Sequence, residues 1–293
     1  MPDTTELVAA VTGGLLPRHT TVRSADVSLH CLVWGDDGAP TVLLVHGNGG
    51  HAHWWDVLVP FFVPGYRLVA PDLRGHGESD WPRQPAYGIT NFSADLGAVV
   101  DQLAPERCAI IAHSMGARAA LWFTAHHTSR VRGLALLDTS VAGVDAETAR
   151  RWRGRVIGRR DGRTYASYAE AVDAFRFVPP EAGVSSAVSA DLAHHAVVER
   201  GPGAWTFRFD RAVLALEGDG AGDLTALAAD LACPLWVGRG GDSHVIRRRE
   251  VDPIRARGAT VEVHDFPGAH HFFLSSRQPA GSALREFLDR LPA

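Results

Sequence analysis

Apolar residues fall along this chain in short, uninterrupted blocks separated by polar or helical-period stretches. Thr41–Val45, Cys108–Ala112 and Val131–Leu137 are β-branched, leucine-rich or alanine-rich runs with no polar alternation. Strands covered on both faces read this way, so these blocks predict the inner strands of a parallel sheet. Tyr66–Ala70, Cys233–Val237 and Thr260–Phe266 predict further strands, and Asp26–Trp34 alternates as a half-buried strand does. Helical spacing appears between the blocks, first in Phe92, Leu96, Val99, Val100 and Leu103 with Asn91 or Ser93 as cap, later over 224–231 and 281–288. Strands alternating with helices imply an α/β fold with a mostly parallel central sheet flanked by helices. Residues 1–20 read as a polar lead-in with one weak helical turn.

The pattern changes in the middle. From about 141 to 222 no long buried strand is predicted. Arginine-rich and alanine-rich helical pieces, including 165–177, are broken by Pro179-Pro180 and by Gly201-Pro202-Gly203. The chain therefore divides into a core, 1–140 and 223–293, and an inserted section, 141–222.

With 293 residues and 46% hydrophobic content, the chain can bury a sizeable core. A formal charge of −4 gives no pull toward nucleic acid or an anionic membrane, and the arginines between Arg150 and Arg163 read as a solvated face. The expected partner is a small-molecule substrate, with neither nucleic acid nor membrane; composition is silent on oligomeric state. Cys31, Cys108 and Cys233 are an odd set without metal-type spacing, and the first two sit in apolar runs where reduced cysteine packs as a small hydrophobe. No signal-like start and no apolar stretch of about 18 residues is present, so a cytoplasmic location is expected.

The chemistry concentrates at strand ends. In Cys108–Leu121 an apolar run meets Ser114, flanked by Ala112 and Gly116, and then becomes helical. Small flanking residues permit a sharp strand-to-helix turn that lifts the hydroxyl above the sheet edge; the plainer reading is a serine capping an ordinary helix. His46-Gly47-Asn48-Gly49-Gly50 follows another buried run, and three glycines in five residues make sense where backbone must approach a ligand. In acyl-transfer enzymes such a loop offers one N–H to an oxyanion and the residue after the nucleophile offers the other, here Asn48 and Met115. His51-Ala52-His53-Trp54-Trp55 then supplies an aromatic wall, so His46, Gly47, Trp54 and His113 are the expected substrate contacts. His51 and His53 lack a nearby third ligand, and no metal is expected.

Taken in order, VLLVHGNGG, VAPDLRGHGESD and IIAHSMGA resemble the α/β-hydrolase superfamily, and the likeness covers nearly all of the chain outside the middle section. The resemblance implies a helical cap inserted after the sixth strand, with the 72–80 loop as support for the serine turn. It also implies a carboxylate and then a histidine downstream of Ser114. His271 in GAHHFF aligns with the family's histidine, and His270, the alternative base, replaces the glycine before it. The commonest place for the acid, three residues after a glycine beyond the seventh strand, falls on Ser243 when counted from Gly240, and Asp242 misses it by one. Other branches put the acid at the end of the sixth strand, where Asp138 stands, so Asp138 is the expected acid and Asp242 the alternative.

Phe175, Phe177, Trp205, Phe207 and Phe209 either line a substrate cavity or form the core of the cap, while His194 and His195 read as structural or solvated. The activity implied is a serine hydrolase, without cofactor, that cleaves an ester, lactone or thioester of a small, mainly apolar substrate through an acyl-enzyme. Carbon–carbon hydrolysis of a β-diketone with the same residues and a non-catalytic ligand-binding fold are the alternatives. Asn48 resembles the halide-binding asparagine of haloalkane dehalogenases, but dehalogenation and epoxide opening in this superfamily use an aspartate nucleophile, and position 114 is serine.

Overall fold

The apolar blocks assemble side by side in a computed structural model that describes residues 9–143, 163–215, 220–246, 250–256 and 261–292. In chain order the strands are β1 (Arg18–Ser24), β2 (Val27–Trp34), β3 (Thr41–Val45), β4 (Arg67–Pro71), β5 (Cys108–His113), β6 (Val131–Leu137), β7 (Val197–Glu199), β8 (Trp205–Phe207), β9 (Leu235–Gly240) and β10 (Val261–Phe266). Eight of them form one sheet in the order β1-β2-β4-β3-β5-β6-β9-β10. β2 runs antiparallel to β1 and β4, and the remaining pairs are parallel. Every residue of β5 and β6 is buried, as strands covered on both faces require.

Helices α1 (Ile89–Leu103) and α2 (Ser114–His126) cover one face of the sheet, and α3 (Tyr168–Asp173) and α4 (Ser186–Ala196) belong to the inserted section. Helix α5 (Arg277–Asp289) covers the other face together with the 3₁₀ segment Ala52–Leu58. Phe92, Leu96, Val99 and Phe123 form part of the first core layer; Trp34, Trp55, Trp236 and Phe287 form part of the second. Residues 18–24, of which 18–20 fall within the expected lead-in, pair along their whole length with β2. Only Val22 and Ser24 of that strand are buried, so it carries too few apolar positions to announce itself.

Between β6 and β9 the described residues are not wholly helical. Ser167 and Ser185 cap α3 and α4 by accepting hydrogen bonds from the Glu170 and Val188 N–H groups, which explains where these helices begin. The chain then forms a short hairpin of β7 and β8, three residues each, around Gly201-Pro202-Gly203, an element that the expected helical pieces did not include. The arginine run that opens the insertion lies outside the described residues except for Arg163. Two backbone bonds join the insertion to the loop after β4: Gly77 N–H donates to Arg208 O at 2.9 Å and Asp210 N–H to Gly75 O at 2.8 Å. No helix among the described residues is long and apolar enough to cross a membrane.

That loop is held by buried charge. Arg74 grips Asp95 of α1 through two bonds of 2.6 and 2.7 Å, and Ser24 Oγ donates to the same carboxylate at 2.5 Å. Asp72 accepts from Ala52 N–H at 2.7 Å and Glu78 N–H at 2.9 Å, and pairs with His30 Nδ1 at 2.8 Å. Burial alone would raise this carboxyl, but the His30 bond, the nearby His46 ring and the Glu78 N–H outweigh it and hold Asp72 well below the usual carboxylate range.

At the seam between insertion and core, Asp191 of α4 is buried near Asp56 and His53 of the 3₁₀ segment, and the His53 and His195 rings stack with centroids 3.4 Å apart. Burial, and secondarily the charge of Asp56, pushes Asp191 up to about 7. A carboxyl whose folded value lies above its unfolded value of about 3.9 leaves the native state binding more protons than the unfolded chain between those limits, so its stability contribution is present below pH ~4 and is lost as pH rises through ~7. Asp191→Asn should therefore be more stable than the native chain at pH 8, by at most ~4 kcal/mol at about 1.36 kcal/mol per pH unit, and should gain nothing at pH 4. Denaturant unfolding at the two pH values measures the difference.

Candidate active site

Where β5 ends, the chain makes a turn that most residues avoid. Ser114 has φ +53°, in the left-handed region, and α2 starts there. Two glycines leave the room. A Cβ on Gly116 would lie 2.2 Å from the His46 carbonyl oxygen, and one on Gly47 would lie 2.9 Å from Ser114 Cβ. Ala112, in place of a first glycine, fits within buried β5. Thr139 Oγ1 donates to the Ser114 carbonyl at 2.9 Å, tying the turn to the end of β6. Asp138 also takes a left-handed backbone, φ +47°, and its N–H donates to Gly238 O of β9 at 2.8 Å.

The loop after β10 places a histidine between these two residues, and it is His270. Its Nε2 lies 3.0 Å from Ser114 Oγ and its Nδ1 2.6 Å from Asp138 Oδ2. Since the carboxylate only accepts, Nδ1 carries the proton and Nε2 presents a lone pair to the hydroxyl. The expectation of His271 is corrected. Neighbouring side chains in this turn project to different sides, and the His271 ring packs against Trp54 at 4.9 Å between centroids, and against His113 and Phe177. Of the two candidate acids, Asp138 is fully buried and bonded to the imidazole, whereas Asp242 is exposed.

Two supporting residues escaped the sequence reading. Ser243 Oγ donates to Asp138 Oδ2 at 2.5 Å, while Gly240 N–H donates to Oδ1 at 3.1 Å. The count from Gly240 lands on this serine, whose hydroxyl bonds the acid instead of replacing it. Glu181 of the insertion accepts from Ala269 N–H at 2.9 Å and His271 N–H at 2.8 Å, on either side of His270. Nothing local to Glu181 in the sequence signals that role.

A cavity of about 60 Å³ opens beside the hydroxyl, lined by Gly47, Asn48, Trp54, His113, Ser114 and His270 among others. Asn48 lines this cavity with Ser114, whereas Met115 is not a lining residue; it follows Ser114 in the first turn of α2, where a backbone N–H has no intrahelical partner. His46 is not a lining residue: it is buried, its Nδ1–H donates to Gly47 O at 2.8 Å, and its Nε2 accepts from Leu73 N–H at 2.9 Å. Burial pushes its ring below the ordinary histidine value, consistent with a neutral structural role. His113 Nε2–H donates to His270 O at 3.0 Å, and burial, then the neighbouring His270 ring, pushes His113 well below its ordinary value.

One ring nitrogen from each of His113, His270 and His271 lies within 4.8 Å of the other two. A cation drawn to them would compete for the His270 nitrogens, which already serve Ser114 and Asp138. His51 Nε2 donates to Leu192 O at 3.1 Å and His53 Nδ1 bonds Asp56 Oδ2 at 2.9 Å.

A second cavity, about 600 Å³, lies between the glycine-rich loop and the insertion and shares Gly50 and Val178 with the first. Phe175, Phe177, Phe207 and Phe209 line it; Trp205 does not. His195 is structural, stacked on His53, and His194 bonds the Tyr168 hydroxyl at 2.6 Å.

Comparison with known proteins places this geometry among relatives. The family model for the alpha/beta hydrolase fold matches residues 40–196. Esterase Rv0045c of Mycobacterium tuberculosis is 29% identical over 262 residues, covering 88% of this chain and 82% of that protein. A solved structure of that esterase matches with a TM-score of 0.80 at 26% identity, over 98% of this chain and 99% of that one. Epoxide hydrolase A of the same organism is 34% identical over 124 residues, but the match spans only 42% of this chain and 38% of that protein. E-2-(Acetamidomethylene)succinate hydrolase shares the fold, with a TM-score of 0.81 at 19% identity over 93% of this chain and 99% of that one.

Labelling with a fluorophosphonate tests which histidine activates Ser114. His270→Ala and Asp138→Asn should each slow labelling by about 10³-fold or more, as loss of a base or of its orienting acid does. His271→Ala and Asp242→Asn should change it less than about tenfold.

Proposed function

The chain belongs to the α/β-hydrolase fold family and is a hydrolase, and we propose that it cleaves a carboxylic ester, lactone or thioester of a small, mainly apolar substrate through an acyl-enzyme on Ser114. The single observation that carries this reading is the 3.0 Å approach of His270 Nε2 to Ser114 Oγ, with Asp138 behind the ring. A serine hydroxyl is a weak nucleophile at neutral pH and needs a base within hydrogen-bond reach. In the proposed first step, Oγ attacks the substrate carbonyl carbon while its proton passes to Nε2. Asp138 stabilises the resulting imidazolium, and the backbone N–H groups of Asn48 and Met115 receive the carbonyl oxygen as it gains charge. His270 then gives its proton to the leaving alcohol or thiol. Water, deprotonated by the same imidazole, attacks the acyl carbonyl and releases the acid and free Ser114.

The aromatic part of the larger cavity, which Arg163, Arg176, Glu181 and Arg208 also line, supports a substrate with an apolar portion. Phe175, Phe177 and Phe207 offer surface that gains by covering hydrocarbon, and Gly50 and Val178 join that space to the one beside Ser114. Esters also fit the chemistry better than epoxides do, although epoxide hydrolases are among the partial relatives. Epoxide opening by Ser114 would leave an ether, which has no carbonyl for water to attack.

A panel of p-nitrophenyl esters graded from acetate to octanoate tests the proposal. Turnover that depends on chain length, and that falls by about 10³-fold or more in Ser114→Ala, is the expected outcome. Rapid quench with a slow ester should show the acyl mass on the peptide containing Ser114. Ester turnover that survives Ser114→Ala sinks the reading.

A further inference from the structure

We infer that Ser243 is a positioning residue for the relay, its hydroxyl setting the orientation of the Asp138 carboxylate that His270 depends on. The inference rests on the reading of Ser114, His270 and Asp138 as nucleophile, base and acid.

Asp138 sits where its carboxylate has few restraints of its own. It follows the last residue of β6, its side chain is fully buried, and its own backbone lies in the left-handed region. A carboxylate free to rotate about its Cβ–Cγ bond would present either oxygen, or neither, to the imidazole. Two donors, one from the last residue of β9 and one from the loop that follows, prevent that rotation. Gly240 N–H holds Oδ1 at 3.1 Å, and Ser243 Oγ–H holds Oδ2 at 2.5 Å, the same oxygen that faces His270 Nδ1 at 2.6 Å. Hydrogen bonds to an ionised acceptor are the shorter and stronger kind, and Oδ2 receives two of them from different elements.

The serine is itself fixed. Its N–H donates to Gly240 O at 3.0 Å, and its Oγ accepts from Val245 N–H at 3.1 Å. That acceptance leaves the hydroxyl proton to point along the remaining direction, toward Asp138. Gly240 has no latitude either, because a Cβ there would lie 1.9 Å from Ala269 O, the residue before His270. The end of β9 and its exit loop therefore grip the acid with two donors and pack against the loop that carries His270. Ser243→Ala removes the donor to Asp138 and, with it, the acceptor of the Val245 N–H, so the His270 Nδ1–H proton is the readout that reports on the acid itself.

Steady-state kinetics, labelling and proton NMR of the full chain test the inference together. Ser243→Ala should lower kcat for the best p-nitrophenyl ester by about tenfold, the worth of one hydrogen bond to a charged group, with KM within about twofold. The fluorophosphonate labelling rate of Ser114 should fall in parallel. Ser243→Thr, which restores a hydroxyl, should return both to within about threefold of the native chain. The far-downfield resonance of the His270 Nδ1–H proton should move or vanish in the alanine variant and persist in the threonine one. A role confined to the loop through Val245 predicts no change in the His270 Nδ1–H resonance, and an unchanged resonance in Ser243→Ala overturns the inference. Native kcat and labelling in Ser243→Ala, or a threonine variant as impaired as the alanine one, overturns the inference. Ser114→Ala separates the two ideas: loss of turnover there with native behaviour in Ser243→Ala overturns the positioning role alone, whereas turnover that survives Ser114→Ala overturns the reading it rests on.

Discussion

Left-handed backbone at the ends of two neighbouring strands is the constraint on which this site depends. Ser114 and Asp138 are two of three non-glycine residues with positive φ among those described. Each follows directly on a β5–β6 residue pair in register, His113 with Leu137. Parallel strands that end level and then turn sharply present their next side chains at the same height above the sheet. The hydroxyl and the carboxylate thus stand on one edge, at a separation that a single imidazole spans from the loop after β10. A non-glycine residue in this conformation costs of order 1–3 kcal/mol and persists only where its surroundings over-determine it. Gly47 and Gly116 leave no room for Cβ atoms beside Ser114, and Gly238 O captures the Asp138 N–H.

The glycine-rich loop that faces Ser114 would be loose on its own, and buried polar groups tie it down. His46 bonds forward to Gly47 O and accepts the Leu73 N–H, which fastens the exit of β3 to that of β4. Asp72 then holds the Ala52 N–H just past the glycines, while Arg74 and Asp95 anchor the same β4 loop to α1. In a water-poor interior each such group is costly if left unpaired, so the network admits few alternative arrangements. Rigidity next to the nucleophile comes from this polar girdle as much as from apolar packing.

Much of this was legible because inner parallel strands and their exits are written in local pattern. The blocks at 41–45, 108–112 and 131–137 are continuous apolar runs, and each ends at a residue whose chemistry makes sense only at a sheet edge. β1 was not legible, since an edge strand with two buried side chains has almost no apolar signature. Which of two adjacent histidines meets Ser114 was equally hidden. That choice belongs to the turn, where Gly268 at φ +104° and the Glu181 bonds to Ala269 and His271 set the direction of the backbone. The family alignment places a histidine within one residue; only the turn's conformation decides the last step. Ser243 is the complementary case: its spacing from Gly240 is visible in the sequence, while its contact to Asp138 exists only in the tertiary structure.

Glu181 also changes how the insertion should be regarded. A cap that merely covered a pocket would touch the substrate and little else. This carboxylate instead accepts hydrogen bonds from the backbone N–H groups on both sides of His270, and from Ser275 Oγ at 2.8 Å. Val178 and Pro179, close by in the chain, line the small cavity beside Ser114, and Val178 lines the larger one as well. The base is therefore fixed twice: its ring by Asp138 from the sheet, its main chain by Glu181 from the insertion. Any displacement of the 178–181 segment that widened the way to Ser114 would strain or break the bonds that aim the imidazole. The same short segment thus shapes the opening beside Ser114 and holds the backbone on either side of His270.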